Sequence, residues 1–333
     1  MRRTKLLKTV PLDRLMDLKI DFAFKQLFGI KKNKKITLAF LNAILQRTGR
    51  DRITNISFTN TEAGGEYEDD KQSRLDLLVV TAANEWINVE IQFSNQYDMV
   101  KRSIYYWAGV YRTPLEKAMS YKELRPVIAI NILNFDLFSQ TERFHTIFHL
   151  YEDTEKFMLT DVMELHFIEI TKLIRDWQAD KLDPWNDVLA RWLLLLGMID
   201  RRNGEVYEDI FKELEAIAMK DDTLHEAFES WEALSGNREQ MIAYEGRMKQ
   251  IFDKASAIRE AELRLEEGIK QGIEQGIEQG IEQGREEGRK TGELVGKMKA
   301  ARRLLIKGMD IHDIIEVTEL TEEQVLAIKK EMN

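Results

Sequence analysis

Apolar residues recur at helical spacing in RLMDLKIDFAFKQLFGI, which predicts a helix over residues 14–30 that stops at Gly29. KKITLAFLNAILQRTG repeats the pattern and predicts a second helix ending near Gly49. The rhythm then turns strand-like. Ile53–Thr59 (ITNISFT), Arg74–Val80 (RLDLLVV) and Trp86–Phe93 (WINVEIQF) read as strands, with TAANE as the hairpin loop between the last two. Residues 97–113 read as a helix closed by Pro114, and Pro126–Phe135 (PVIAINILNF) as a buried strand. The first 135 residues thus run ααβββαβ, an α/β arrangement with helices against a sheet. Phe144–Tyr151 and Glu164–Ile170 predict two more strands, and from Asp183 to about Ala255 the pattern is helical.

The tail has its own period. Glycine stands at every fourth position from Gly268 to Gly296, and GIEQ repeats almost perfectly from Gly272 to Gln283. Each glycine inside a helix costs about 1 kcal/mol relative to alanine, yet the residues between favour helix. Four residues advance about 400° around a helix, so the glycine stripe drifts by about 40° per repeat. A long helix with a role in self-association accounts for the pattern; a helical spacer enlarged by repeat duplication is the alternative. The last segment, residues 301–333, reads as helix, turn, helix, with Ile311, Ile314 and Ile315 facing Leu320, Val325 and Ile328 and with Thr318 and Thr321 at cap positions. Its second helix is not strongly basic, so it reads equally as a docking or capping unit.

Charge sharpens this layout. The chain has 333 residues and a net charge of −9, but residues 1–55 hold 14 Lys/Arg against 4 Asp/Glu. The cluster Lys31, Lys32, Lys34 and Lys35 could face phosphates or be a solvated loop between two helices. Residues 205–245 reverse the sign, with 12 Asp/Glu against 3 Lys/Arg, and read as a helical region with an acidic face. The absence of cysteine excludes a disulfide scaffold, a cysteine-zinc site and a cysteine nucleophile. The longest apolar run, Trp192–Ile199, is far short of the roughly 20 residues that cross a bilayer. No apolar core follows the basic start as in a signal peptide, so a soluble cytoplasmic protein without a membrane partner is expected.

The strand pair carries the sharpest chemistry. Asp76 interrupts an apolar run. Glu90 and Gln92 share one sheet face, while Val89, Ile91 and Phe93 share the other. A buried acid in a strand is costly unless paired or metal-bound. Two carboxylates on adjacent strands suit Mg2+ or Mn2+; a salt bridge with Arg74, Lys25 or Arg102 is the plainer reading. His145 and His149 also share a face, but no acid lies between them as in H-E-x-x-H, and ordinary surface histidines are the simpler account. Gly64–Gly65 lacks the Lys and Ser/Thr of a phosphate loop. The tryptophans and Tyr105, Tyr106 and Tyr111 sit at helical spacing, more in the manner of core than of base-stacking platforms.

The order D, hairpin, E-x-Q after two helices resembles the PD-(D/E)XK nuclease superfamily. More narrowly it resembles the Rpn family of recombination-promoting nucleases and transposases. IDFAFKQLFG (Ile20–Gly29) looks like that family's opening motif, RLDLLVV and NVEIQ like its catalytic strands, KRSIYYWAGVY like the helix after them, and YKELRPVIAINIL like the following strand. A glycine-every-four tail also recurs in such proteins, and the likeness spans residues 15–300.

The resemblance implies a PD-(D/E)XK nuclease-like core, a mixed sheet flanked by helices, over residues 12–180. An acidic helical subdomain (181–258), the glycine-repeat helix (259–300) and a small C-terminal unit (301–333) would follow. It matches Asp76 to the metal-binding aspartate and Glu90 to the acid of the (D/E)-x-K pair, with the Ile91 carbonyl as a further ligand for Mg2+ or Mn2+. Gln92 stands where lysine is usual. Asp21 and Lys25 match the opening motif, Asp21 as a further acid near the metal and Lys25 as a substitute positive charge. Arg102 and Tyr105 would meet phosphate or order the site, and Lys31, Lys32, Lys34, Lys35 and Lys101 would touch phosphates. The function implied is metal-dependent hydrolysis of DNA phosphodiesters, linked to recombination or transposition, in a homo-oligomer built through the tail. The alternative is a catalytically degenerate relative that binds DNA or self-assembles without cutting.

Overall fold

A computed structural model describes residues 6–59, 62–63, 73–94, 98–112 and 120–332. The chain runs α1 (Asp21–Phe28), α2 (Lys34–Ile44), β1 (Ile56–Phe58), β2 (Glu62–Ala63), β3 (Ser73–Arg74), β4 (Leu77–Thr81), β5 (Trp86–Gln92), α3 (Met99–Arg112), β6 (Val127–Leu133), β7 (His145–Tyr151) and β8 (Met158–Glu169). Then come α4 (Ile170–Gln178), α5 (Val188–Gly197), β9 (Ile199–Asp200), β10 (Glu205–Val206), α6 (Glu208–Ala218), α7 (Asp222–Gly236), α8 (Arg238–Ile306), α9 (Ile311–Thr318) and α10 (Glu322–Glu331). Two compact units divide it, residues 1–255 and 256–333.

In the first unit a six-stranded sheet has the order β1-β4-β5-β6-β8-β7. β4 and β5 form an antiparallel hairpin, β5, β6 and β8 run parallel, and β7 folds back on β8 as the edge strand. Alternation along the strands divides two helical layers. Ile87, Val89 and Ile91, with Ile128, Ile130 and Ile132, join a core that also takes Phe24, Phe40, Trp192 and Phe228 from the helices. The opposite face, through Leu78, Val127, Ala129 and Leu133, is covered by α3 with Met99 and Val110. Burying one such side chain contributes about 1.5–3 kcal/mol. The acidic helical stretch is thus part of the same core, its apolar stripes turned inward, and its buried Glu232 accepts from the amides of Lys8, Thr9 and Val10.

Several elements differ from the expectation. Residues 15–20 are not helical, although Leu15, Met16, Leu18 and Ile20 are fully buried. Their backbone is bonded by distant groups instead. Arg201 donates to the carbonyls of Asp13 and Leu15, Trp231 Nε1 donates to the Met16 carbonyl, and the Met16 and Asp17 amides donate to Ser235 and Tyr244. The helix therefore opens at Asp21. Gly29 does close it: a Cβ there would lie 2.7 Å from the Lys25 carbonyl oxygen. α2 ends at Ile44, before Gly49, because Gln46 turns left-handed at φ 50°. β4 begins only at Leu77, and β8 begins at Met158, so that hairpin is longer than the sequence indicated. Tyr97, Pro114 and Gly64–Gly65 lie outside the described residues, as does the Arg74 side chain.

In the second unit α8 continues to Ile306, and Ala301 joins Ile314, Leu320, Val325 and Ile328 in a small core. Thr321 caps α10 with a capping box to Gln324. α9 is capped by Asp310, whereas Thr318 is buried and donates to the Ile314 carbonyl. Among the described residues no helix is long and apolar enough to cross a membrane.

Candidate active site

Asp76 sits at the bend where the chain enters β4, and Glu90 lies opposite on β5, whose alternation turns it toward α3. The two are joined through the backbone. The Asp76 amide donates to Glu90 Oε1 at 3.3 Å, and the Ile91 amide donates to Asp76 Oδ2 at 2.9 Å. Both carboxylates are buried, Glu90 to 1 % exposure. Burial therefore pushes the Asp76 carboxyl up, with the Lys25 charge working against it. Glu90 goes further, well above the usual carboxylate range, through burial first and the neighbouring Asp76 charge second.

Three cations answer three acids. Lys25, from α1, lies 3.0 Å from Asp76 Oδ1. Arg102, from α3 on the other side of the sheet, donates to Gln92 Oε1 at 3.0 Å and stands 3.9 Å from Glu90 Oε2. Arg247, from α8, grips both oxygens of Asp21 at 2.7–2.9 Å, and its charge also reaches Asp76. The salt bridges of Lys25 and Arg102 are thus formed, and Asp21, Lys25, Asp76, Glu90, Ile91, Gln92 and Arg102 meet in one cluster.

The other expected contacts lie elsewhere. Lys31 and Lys32 form a 3-10 turn before α2, Lys34 opens α2, and Lys35 pairs with Glu226 of α7 at 3.3 Å. Lys101 pairs with Asp98, and Tyr105 is largely exposed beside Tyr106. His145 and His149 lie on the edge strand β7 and face β8. His145 Nε2 lies 2.8 Å from His166 Nδ1, His166 Nε2 lies 2.5 Å from Glu164, and His149 stands 3.8 Å from the same acid. Burial and the His166 charge lower His145 to about 4. Among the described residues, no three His, Asp or Glu side chains converge as a metal nest.

Arg247 and Tyr106 escaped the sequence reading. Arg247 is far along the chain, in a stretch that reads only as polar helix. Tyr106 looked like core, but its hydroxyl accepts from Arg102 Nε at 3.0 Å.

A family model for PD-(D/E)XK nuclease family transposases matches residues 18–261. The chain belongs to this family. No curated protein and no solved structure matches it. The mixed α/β sheet with flanking helices is consistent with the PD-(D/E)XK fold, and membership places the chain among nuclease- and transposase-related proteins. The matched span takes in the Asp76–Glu90 hairpin, α3 and Arg247 alike.

Proposed function

We propose that this PD-(D/E)XK protein is a divalent-metal-dependent endonuclease that hydrolyses DNA phosphodiesters in the cytoplasm, in the service of recombination or transposition. The observation that carries the reading is the buried pair Asp76 and Glu90, locked together through the Asp76 amide. Two carboxylates and the Ile91 carbonyl are hard oxygen donors of the kind Mg2+ or Mn2+ takes. When bound, the ion would make water more acidic and offset charge on the phosphate. Glu90 must release its proton to serve as a ligand, so its high pKa couples metal uptake to proton release.

Around the pair, Gln92 orients the attacking water and Lys25 fixes Asp76. Asp21, held by Arg247, adds negative potential beside Asp76. Lys31, Lys32, Lys34, Lys35, Lys101 and Tyr105 contact the backbone of DNA without reading its sequence. The water oxygen bonds to phosphorus, its proton leaves to solvent, and the bond to one sugar oxygen breaks, that oxygen taking up a proton.

Plasmid cleavage with Mg2+, Mn2+ or EDTA tests the reading, using the native chain beside Asp76→Ala and Glu90→Ala. Metal-dependent cutting lost in both variants is the expected result. A folded native chain that cuts under no ion would overturn it and leave a DNA-binding or assembling relative. A homo-oligomer through the tail is a second proposal, favoured by the open space beside Gly268–Gly296 and the exposed Ile269, Ile273, Ile277 and Ile281. Its check is solution mass after removal of residues 261–333, where an unchanged mass would refute it.

A further inference from the structure

Glutamine at position 92 leaves the E-x-Q site without a cation of its own, since an amide can orient a water but cannot offset a developing negative charge. Lys25 is poorly placed to fill that gap. Its ammonium lies 3.0 Å from Asp76 Oδ1, on the α1 side of the sheet and in direct contact with that carboxylate, whereas Arg102 stands 3.9 Å from Glu90. Arg102 approaches from the opposite layer. Its Nη1 donates to Gln92 Oε1, its Nε donates to the Tyr106 hydroxyl, and its Cζ lies 5.1 Å from the Tyr106 ring centroid. These contacts with two side chains, Gln92 and Tyr106, hold the planar guanidinium in place. Nη2 is then directed at the edge of Glu90, 3.9 Å from Oε2.

We propose that Arg102 supplies, from α3, the positive charge that the residue at position 92 does not. Gln92 is its positioning residue, and the guanidinium stabilises charge on the phosphate as the water attacks. This rests on the nuclease reading above. It separates Arg102 from the lysines that merely contact DNA, because a group held against the acid pair acts on the reaction more than on binding.

The test measures single-turnover cleavage in Mg2+, duplex affinity in EDTA and Mn2+ affinity by calorimetry. Arg102→Gln, which keeps a polar, hydrogen-bonding side chain but removes the charge, is expected to slow cleavage about 100-fold or more while duplex affinity changes by less than about threefold. Arg102→Lys, retaining charge, is expected to recover part of the rate, and so is Gln92→Lys placed in the Arg102→Gln background. Added guanidinium is expected to rescue Arg102→Ala. Equal losses of rate and duplex affinity, or no rescue by either lysine, would overturn the proposal.

The Mn2+ titration reads the same charge without any cleavage. Removing a cation beside Glu90 is expected to tighten Mn2+ several-fold in Arg102→Gln, whereas Glu90→Ala loosens it. An unchanged or weaker Mn2+ affinity in Arg102→Gln would also overturn the proposal. If the native chain cuts nothing yet this tightening is seen, the nuclease reading fails and the placement of the charge stands.

Discussion

The body, residues 6–255, and the tail beyond it use the same residue types under opposite rules. Ile130, Ile132 and Ile168 are buried against helices, while Ile269, Ile273, Ile277 and Ile281 are 54–65 % exposed. Glycine differs in the same way. At Gly197 of α5 a Cβ would lie 2.9 Å from Ile174 Cδ1 and 3.2 Å from Ile170 Cγ2, so α4 and α5 approach closely because the side chain is missing. At each glycine from Gly268 to Gly296 a Cβ would meet nothing within 4 Å. In the body a small residue is demanded by packing already present. In the tail it leaves room for packing the chain does not itself supply.

The chemistry should follow the body alone, and that is the largest effect. Asp76→Ala and Glu90→Gln are expected to lower cleavage by about 1,000-fold, read by single-turnover rates. Loss of cutting on tail removal alone, with the body folded, would break the division.

Packing gives the next effect. Gly197→Val should destabilise the body by about 1–3 kcal/mol, since a branched side chain must displace Ile170 and Ile174. Denaturant titration checks this. Gly276→Ala should act oppositely, stabilising the tail helix by about 1 kcal/mol, read as helicity by circular dichroism. If the stripe is a seam between copies, converting Gly272, Gly276 and Gly280 to Ala raises helicity yet lowers the solution mass.

The acid pair sets a smaller, pH-dependent effect. Glu90 binds its proton more tightly folded than unfolded, so that contribution is complete below the ordinary carboxyl value of 4.5. It is lost as pH rises through the higher folded value. Melting in EDTA should therefore fall as pH rises above the ordinary carboxyl value of 4.5, and Glu90→Gln should flatten the slope. Smallest of all, alanine at Lys35 should leave stability unchanged, because its pair with Glu226 is exposed to water.

Much of the site was legible in local pattern. Alternation in WINVEIQF already put Glu90 and Gln92 on one face and Val89 and Ile91 on the other. Asp76 stood out as a charge in an apolar run. Residues 15–20 misled because Leu15, Met16, Leu18 and Ile20 have helical spacing and are indeed buried. Their hydrogen bonds go to Arg201, Trp231, Ser235 and Tyr244, which no local window contains.

Sequence by itself determined the periods: the α/β order, the face each strand residue takes and the four-residue tail repeat. Those follow from backbone geometry, which repeats every 2 or about 3.6 residues whatever lies nearby. Only tertiary structure decided the partners. That Lys25 takes Asp76, Arg247 takes Asp21 and Arg102 settles between Gln92 and Glu90 depends on layers converging from α1, α8 and α3. A period specifies which way a side chain faces; charge pairing acts through space, and the fold alone brings those groups within reach.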